Sequence, residues 1–161
     1  MSEILSQALF DPTALLLYLA IQRPEVFQAS VQFLLSTGTA LAETLEISEP
    51  SVREGLARLI SEKKIFQSSP SLDGLVRSTR KWDLADHLSA GEISVLAAAE
   101  EIGVSVMMDN RKVNKKAAEH LGLQRVIDLP FVLKNALEEG ILKEDDLEEI
   151  RRKLEAVAKY R

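Results

Sequence analysis

Four carboxylate residues are the part of this sequence best suited to chemistry. Asp11 and Asp109 each follow a short apolar run and precede a stretch with a helical pattern, while Glu43 and Glu92 fall near the starts of two further helical segments. An apolar run that enters a helix in this way indicates a buried parallel strand. In an open α/β sheet, ligands bind in the crevice beyond the carboxyl ends of the strands, and Asp109 is well placed there for metal or substrate chemistry.

Carboxylates that share one crevice favour a divalent cation. Like charges raise the pKa of at least one member of the group unless a cation is present. Mg²⁺ and Mn²⁺ remove that repulsion, prefer oxygen ligands, and can activate water against a phosphodiester. Each acid also has an ordinary structural explanation, because Asp caps helices and Glu is favoured in a first turn. The metal hypothesis therefore depends on the set of four rather than on any single residue.

The apolar and turn patterns predict the elements that must position these acids. The expected strands are Ala8–Phe10, Phe33–Ser36, Ile65–Gln67, Val104–Met108 and Arg125–Asp128. The expected helices are Thr13–Ile21, Glu25–Leu35 (as a helix or a helix plus strand), Ala40–Leu45, Ser48–Glu62, Glu92–Ile102, Lys112–Leu121, Leu129–Glu139 and Glu144–Tyr160. Ser68–Gly74 is predicted as a turn-rich loop and Leu75–Leu88 as partly helical. This alternation predicts an α/β fold with three layers, α/β/α, around a short and mostly parallel sheet.

Length and composition predict one globular domain over residues 1–161. With 46% apolar and 28% charged residues, the chain is rich enough in apolar side chains to form a core. The absence of cysteine excludes disulfides and cysteine-based zinc sites or nucleophiles. A net charge of −5 argues against a broad nucleic-acid surface but leaves room for a local basic strip. The sequence shows neither a secretory signal nor a bilayer-length apolar stretch, so a cytoplasmic protein is expected.

The segments around the four acids resemble the PIN-domain nucleases, including the VapC-type toxins and stand-alone prokaryotic PIN proteins. FDPTALLLYL is similar to the first motif of that family and gives Asp11. LLSTGTALAETL and LSAGEISVLAAAEEIG are similar to the second and third motifs and give Glu43 and Glu92. VSVMMDNRKVNKKAAEHLGL matches the strand–Asp–helix motif and gives Asp109, and RVIDLPFVLKNALEEGIL resembles the closing segment.

The resemblance implies a Mg²⁺- or Mn²⁺-dependent ribonuclease that hydrolyses RNA phosphodiesters. Its catalytic and metal-binding residues would be Asp11, Glu43, Glu92 and Asp109. The resemblance also implies RNA as substrate, a homodimer, and an antitoxin protein as partner if the chain is a toxin. Helices Ser48–Glu62 and Glu144–Tyr160 are the candidates for the dimer contact. The secondary site candidates, which would contact a carboxylate or phosphate, are Thr13, Ser36 and Asn110.

Three positions depart from the family pattern. Pro12 replaces the usual hydroxyl residue after the first acid, so a hydrogen bond to that carboxylate is missing. Ser94 stands where a second Glu often follows in the Gly-Glu motif. Asn114 stands where relatives often carry Arg, which reduces the expected phosphate contact.

Two other readings compete with the nuclease. Thr39–Phe66 has the pattern of a helix-turn-helix, and Gly74–Leu84 would form a wing strand that places Arg77, Arg80 and Lys81 on DNA phosphates. Acidic residues on the second helix oppose this winged-helix regulator. The third reading is a PIN-like scaffold that no longer cleaves. His87 and His120 form no metal-spaced pair, and Trp82 is predicted as a core or lid aromatic rather than a base-stacking platform.

Overall fold

The structure is a computed structural model that describes residues 4–47, 49–82, 88–109, 111–122 and 125–160. It confirms the predicted fold class, since its described strands form one parallel sheet flanked by helices. The strands are β1 (Leu5–Phe10), β2 (Val31–Ser36), β3 (Ile65–Gln67), β4 (Ser105–Met107) and β5 (Val126–Ile127). The helices are α1 (Pro12–Ile21), α2 (Pro24–Gln28), α3 (Gly38–Leu45), α4 (Pro50–Ser61), α5 (Leu72–Lys81), α6 (Ala90–Ile102), α7 (Arg111–Leu121), α8 (Leu129–Glu138) and α9 (Glu144–Ala156), followed by a 3₁₀ turn over Ala158–Tyr160.

Strand β1 lies at the centre of the sheet, whose order is β3-β2-β1-β4-β5. Every neighbouring pair is parallel, and Leu9 of β1 aligns with Leu35 of β2 and Val106 of β4. Parallel strands end at a common edge, so the turns after β1, β2 and β4 lie near one another. At this edge the Asp11 amide donates a hydrogen bond to the Met107 carbonyl at 3.2 Å, which links the ends of β1 and β4.

Apolar side chains alternate between the two faces of the sheet and form a core on each side. On one face, Phe10 packs in a cluster with residues of α1, α2, α8 and α9, which include Leu15, Phe27, Val132 and Ile150. On the other face, Leu9 packs in a cluster with residues of α6 and α7, which include Leu96 and Ala117. Trp82 belongs to this second cluster and is 2% exposed, which confirms it as a core aromatic.

Several element boundaries differ from the predicted ones. β1 begins at Leu5 rather than Ala8, because Leu5 and Gln7 pair with Val31 and Phe33 although the polar residues there hide the strand pattern. The same pairing makes β2 begin at Val31, within a segment predicted to be partly helical. Sequence patterns fail at these strand starts because pairing between distant segments decides them.

The predicted wing strand of the winged-helix reading is wrong. Helix α5 occupies Leu72–Lys81, because the Ser71 hydroxyl caps it by accepting from the Gly74 amide at 3.0 Å. Gly74 and Ser78 are buried on this helix. Because the helix begins at Leu72, the predicted loop over Ser68–Gly74 is wrong at its C-terminal end. The end of the proposed wing and His87 lie outside the described residues, as does the secondary site candidate Asn110. Within the described chain, no helix is both long and apolar enough to cross a membrane.

The opposite burial of two side chains on α6 gives a test of the packing. Leu96 is 0% exposed, whereas Ile102 at the end of the same helix is 47% exposed. We expect Leu96→Ala to lower the free energy of unfolding by about 2–5 kcal/mol, because it removes a buried side chain and leaves a cavity. The control Ile102→Ala should cost about 1 kcal/mol or less. Urea denaturation followed by circular dichroism measures both, and equal losses would contradict this arrangement of α6.

Candidate active site

Asp11 is the most buried of the four predicted acids, at 0% exposure. It lies in the turn from β1 to α1 and caps that helix, since its Oδ1 accepts from the Ala14 amide at 2.8 Å. Its Oδ2 is buried and has no hydrogen-bond partner in the described part of the chain. The helix cap therefore accounts for one carboxylate oxygen and leaves the other unexplained.

The other three predicted acids lie within electrostatic range of Asp11. The pKa of Asp11 is raised well above its ordinary value, first by burial and then by the carboxylates of Glu92, Asp109 and Glu43. The hydrogen bond from Ala14 opposes this shift but does not cancel it. Acids from three other segments of the chain thus act on one buried carboxyl at the carboxyl edge of the sheet.

Glu92 is held by the first turn of α6. Its Oε1 accepts from the Ser89 amide at 3.1 Å, and the Ser89 hydroxyl accepts from the Glu92 amide at 3.1 Å, which completes a capping box. Its Oε2, like Oδ2 of Asp11, is buried without a hydrogen-bond partner among the described residues. The pKa of Glu92 is raised, chiefly by burial and further by the charge of Glu43.

Glu43 lies on α3 and reaches across to α6. Its Oε1 accepts from the Gly91 amide at 2.5 Å, so the carboxylate bridges the two helices. This contact joins residues 48 positions apart. Nothing in the local sequence signals it, because helix packing rather than helix propensity creates it.

Asp109 follows β4 and is partly buried. The preceding residue, Met108, is bound by a side chain of α7: Asn114 Nδ2 donates to the Met108 carbonyl at 2.9 Å. Asn114, which stands where PIN-domain relatives often carry Arg, therefore binds the backbone next to Asp109. The sequence analysis missed this role, although Asn114 is one helical turn into α7 and its side chain can reach back to the preceding turn.

Buried hydroxyls connect the elements beneath the acids. The Ser36 hydroxyl donates to the Phe10 carbonyl at 2.7 Å, so this secondary candidate binds the backbone of β1. Thr37 caps α3, and its hydroxyl lies 2.5 Å from that of Ser94, which also donates to the Gly91 carbonyl at 2.8 Å. Ser94 thus fastens α6 to α3 at the position where a second Glu was considered. Thr13, the remaining secondary candidate in the described chain, is partly buried in the first turn of α1.

The carboxylates have the right chemistry for a hard cation but are not gathered around one. Within the described residues, no three acidic or histidine side chains are close enough together to hold a metal ion as they stand. In the same residues, Asp11, Glu43 and Glu92 form no ion pair with Lys or Arg. The donors are all oxygen atoms, and two of them are buried and unpartnered. This set fits Mg²⁺ or Mn²⁺ better than a softer metal.

No protein-family model matches this chain, and a search of curated proteins also finds no match. The resemblance to PIN-domain nucleases therefore rests on the sequence motifs described above.

The raised pKa of Asp11 predicts a stability change with pH in metal-free protein. The folded state binds this proton more tightly than the unfolded state, so its stabilising effect is lost as pH rises from the ordinary carboxyl range toward the raised pKa. Asp11→Asn removes the charge and keeps an oxygen that can accept from Ala14. The variant should therefore gain stability relative to wild type as pH rises from the ordinary carboxyl range toward neutrality, measured as Tm in EDTA.

The matched control is Asp128→Asn, since Asp128 caps α8 by accepting from the Phe131 amide at 3.0 Å. A stabilisation of about 1 kcal/mol raises the Tm of a protein this size by about 2–4 °C, which is easily resolved. An Asp11→Asn variant whose Tm relative to wild type stays constant or falls over this pH range would contradict the buried charge cluster.

Proposed function

We propose that this protein is a Mg²⁺- or Mn²⁺-dependent ribonuclease of the PIN type. One or two divalent ions would bind at Asp11, Glu43, Glu92 and Asp109. The observation that carries the proposal is the second carboxylate oxygen of Asp11, which is buried and unpartnered in the described chain while three further carboxylates raise the pKa of this residue. A capping role alone requires neither the burial of this oxygen nor the other acids.

A cation is the simplest way to make such a cluster stable when it is ionised. Buried carboxylates are costly unless they are paired with opposite charge or bind a metal. In the described residues, backbone amides satisfy one oxygen each of Asp11, Glu43 and Glu92 and leave the net charge in place. Oδ2 of Asp11 and Oε2 of Glu92 are then the oxygens available to a metal. Side-chain rotations would be needed to gather the ligands, since no group of them is preformed among the described residues.

The proposed role of each residue follows from the hydrogen bonds that orient its carboxylate. The Ala14, Ser89 and Gly91 amides orient three carboxylates, and Asn114 fixes the backbone before the fourth. A bound ion would supply an activated water and charge stabilisation at the phosphodiester. The chain's own contribution is to orient its carboxylate oxygens through the helix starts.

The proposed partners follow from the same family relation. RNA is the proposed substrate, and Lys115 and Lys116 are exposed on α7, the helix that follows Asp109. We further propose a homodimer formed through α4 and α9, a cytoplasmic location, and an antitoxin partner if the chain acts as a toxin.

Cleavage of a mixed RNA pool tests the proposed activity. Wild-type protein should cleave RNA with Mg²⁺ or Mn²⁺ and stop when EDTA is added. Asp109→Asn and Asp11→Asn should each lower the rate about 100-fold or more, because removing one ligand charge weakens both metal binding and charge stabilisation. Asp128→Asn, which alters a capping acid of α8, should cleave at the wild-type rate. Metal-independent cleavage, or full activity of the Asp109 and Asp11 variants, would refute the proposal.

A further inference from the structure

Gly91 lies where three of the acid-bearing segments meet. Its amide donates to Glu43 Oε1 at 2.5 Å, and the residue is buried at the start of α6. A Cβ atom added to it would lie 2.8 Å from the Glu43 carboxyl carbon, 2.8 Å from Glu43 Oε2 and 2.8 Å from Pro12 Cγ. Real side chains do not tolerate such distances, so any other residue here must displace a neighbour.

The backbone of α6 does not itself require glycine at this position. The left-handed glycines of the described chain are Gly103, Gly122 and Gly140, whereas Gly91 has ordinary helical geometry. Within a helix, glycine is about 1 kcal/mol less favourable than alanine. The feature that requires glycine is therefore the space taken by Glu43 and Pro12.

We propose that Gly91 is a positioning residue for the metal centre, through Glu43. The missing side chain lets the Glu43 carboxylate reach the first turn of α6, which fixes it beside Glu92 and Asp11. This inference rests on the proposed metal-dependent function, because the value of holding Glu43 there is that it contributes to a cation site.

Of the two groups that an added Cβ would meet, the Glu43 carboxylate yields at the lower cost, although the 2.8 Å approach to Pro12 Cγ also requires a shift there. Ser94 donates to the Gly91 carbonyl and lies against Thr37, so the start of α6 is fastened to the start of α3. Pro12 has a rigid ring in the first turn of α1, next to Asp11. The end of the Glu43 side chain can rotate at lower cost than either of these. A methyl group at position 91 would thus move the carboxylate away from the Gly91 amide.

Mn²⁺ binding by calorimetry, with metal-free Tm as a second measurement, tests this role. Gly91→Ala should weaken Mn²⁺ binding about 10-fold or more. Gly55→Ala is the matched control, because Gly55 also lies within a helix and its added Cβ would approach only the Leu19 side chain, at 3.0 Å. We expect Gly55→Ala to bind Mn²⁺ as wild type does. A purely helical role for Gly91 predicts unchanged binding and a higher Tm after Gly91→Ala.

A shortened acid distinguishes displacement of Glu43 from general damage. Glu43→Asp alone should weaken Mn²⁺ binding, because the shorter side chain no longer reaches the Gly91 amide. In the Gly91→Ala background, the same change should cost little further affinity, because the Glu43 carboxylate is already displaced there. If Gly91→Ala lowers the Tm, Glu43→Ala in that background should raise it part of the way, since the contact with Pro12 Cγ remains, and no rise at all overturns the positioning role.

The outcomes separate the two proposals. If wild type binds Mn²⁺ and Gly91→Ala binds it equally well, the positioning role is wrong and the proposed metal centre stands. Absence of Mn²⁺ binding by wild type overturns the metal centre, and the positioning role with it. Binding by wild type, weakening by Gly91→Ala and little further weakening when Glu43→Asp is added to Gly91→Ala support both.

Discussion

Parallel pairing of β1 with β2 on one side and β4 on the other is the constraint on which the candidate site depends. It brings the residues that follow three strands to one edge, and the bond from the Asp11 amide to the Met107 carbonyl holds two of those strand ends together. The two apolar cores then fix the helices that leave from this edge. Acids far apart in the chain therefore act on one another.

The carboxyl edge combines deep burial with like charge, which opposes stability in the absence of a cation. Burial is the largest cause of the raised pKa values of both Asp11 and Glu92, and neighbouring carboxylates add to it. An amide residue in place of Asp11 would relieve this cost while still accepting from the Ala14 amide. Strongly perturbed pKa values cluster at functional sites and also occur in structural networks.

The fold class could be predicted from the sequence, because it depends on local patterns, whereas the role of the four acids as one metal site stays a prediction. Alternating apolar runs and helical stretches indicate a parallel sheet, and the Ser89–Glu92 capping box can be read from four consecutive residues. The contact of Glu43 with Gly91 and that of Ser94 with Thr37 could not be read in this way, since each joins residues about 50 positions apart (48 and 57). Helix α5 bears out the partly helical prediction for Leu75–Leu88, whereas its start within the predicted loop was missed for a local reason, because the capping role of Ser71 was overlooked.

Two helix starts make the acid cluster tolerable before any ion binds. The first turn of α1 donates to Asp11, and the first turn of α6 supports both Glu92 and Glu43 through backbone amides. A helix N-terminus favours nearby negative charge by about 0.3–1 kcal/mol, and more when partly buried. These donors stabilise one oxygen of each carboxylate and leave the negative charge unneutralised. The helix starts thus orient the carboxylates, and a cation would supply the opposite charge that these donors do not.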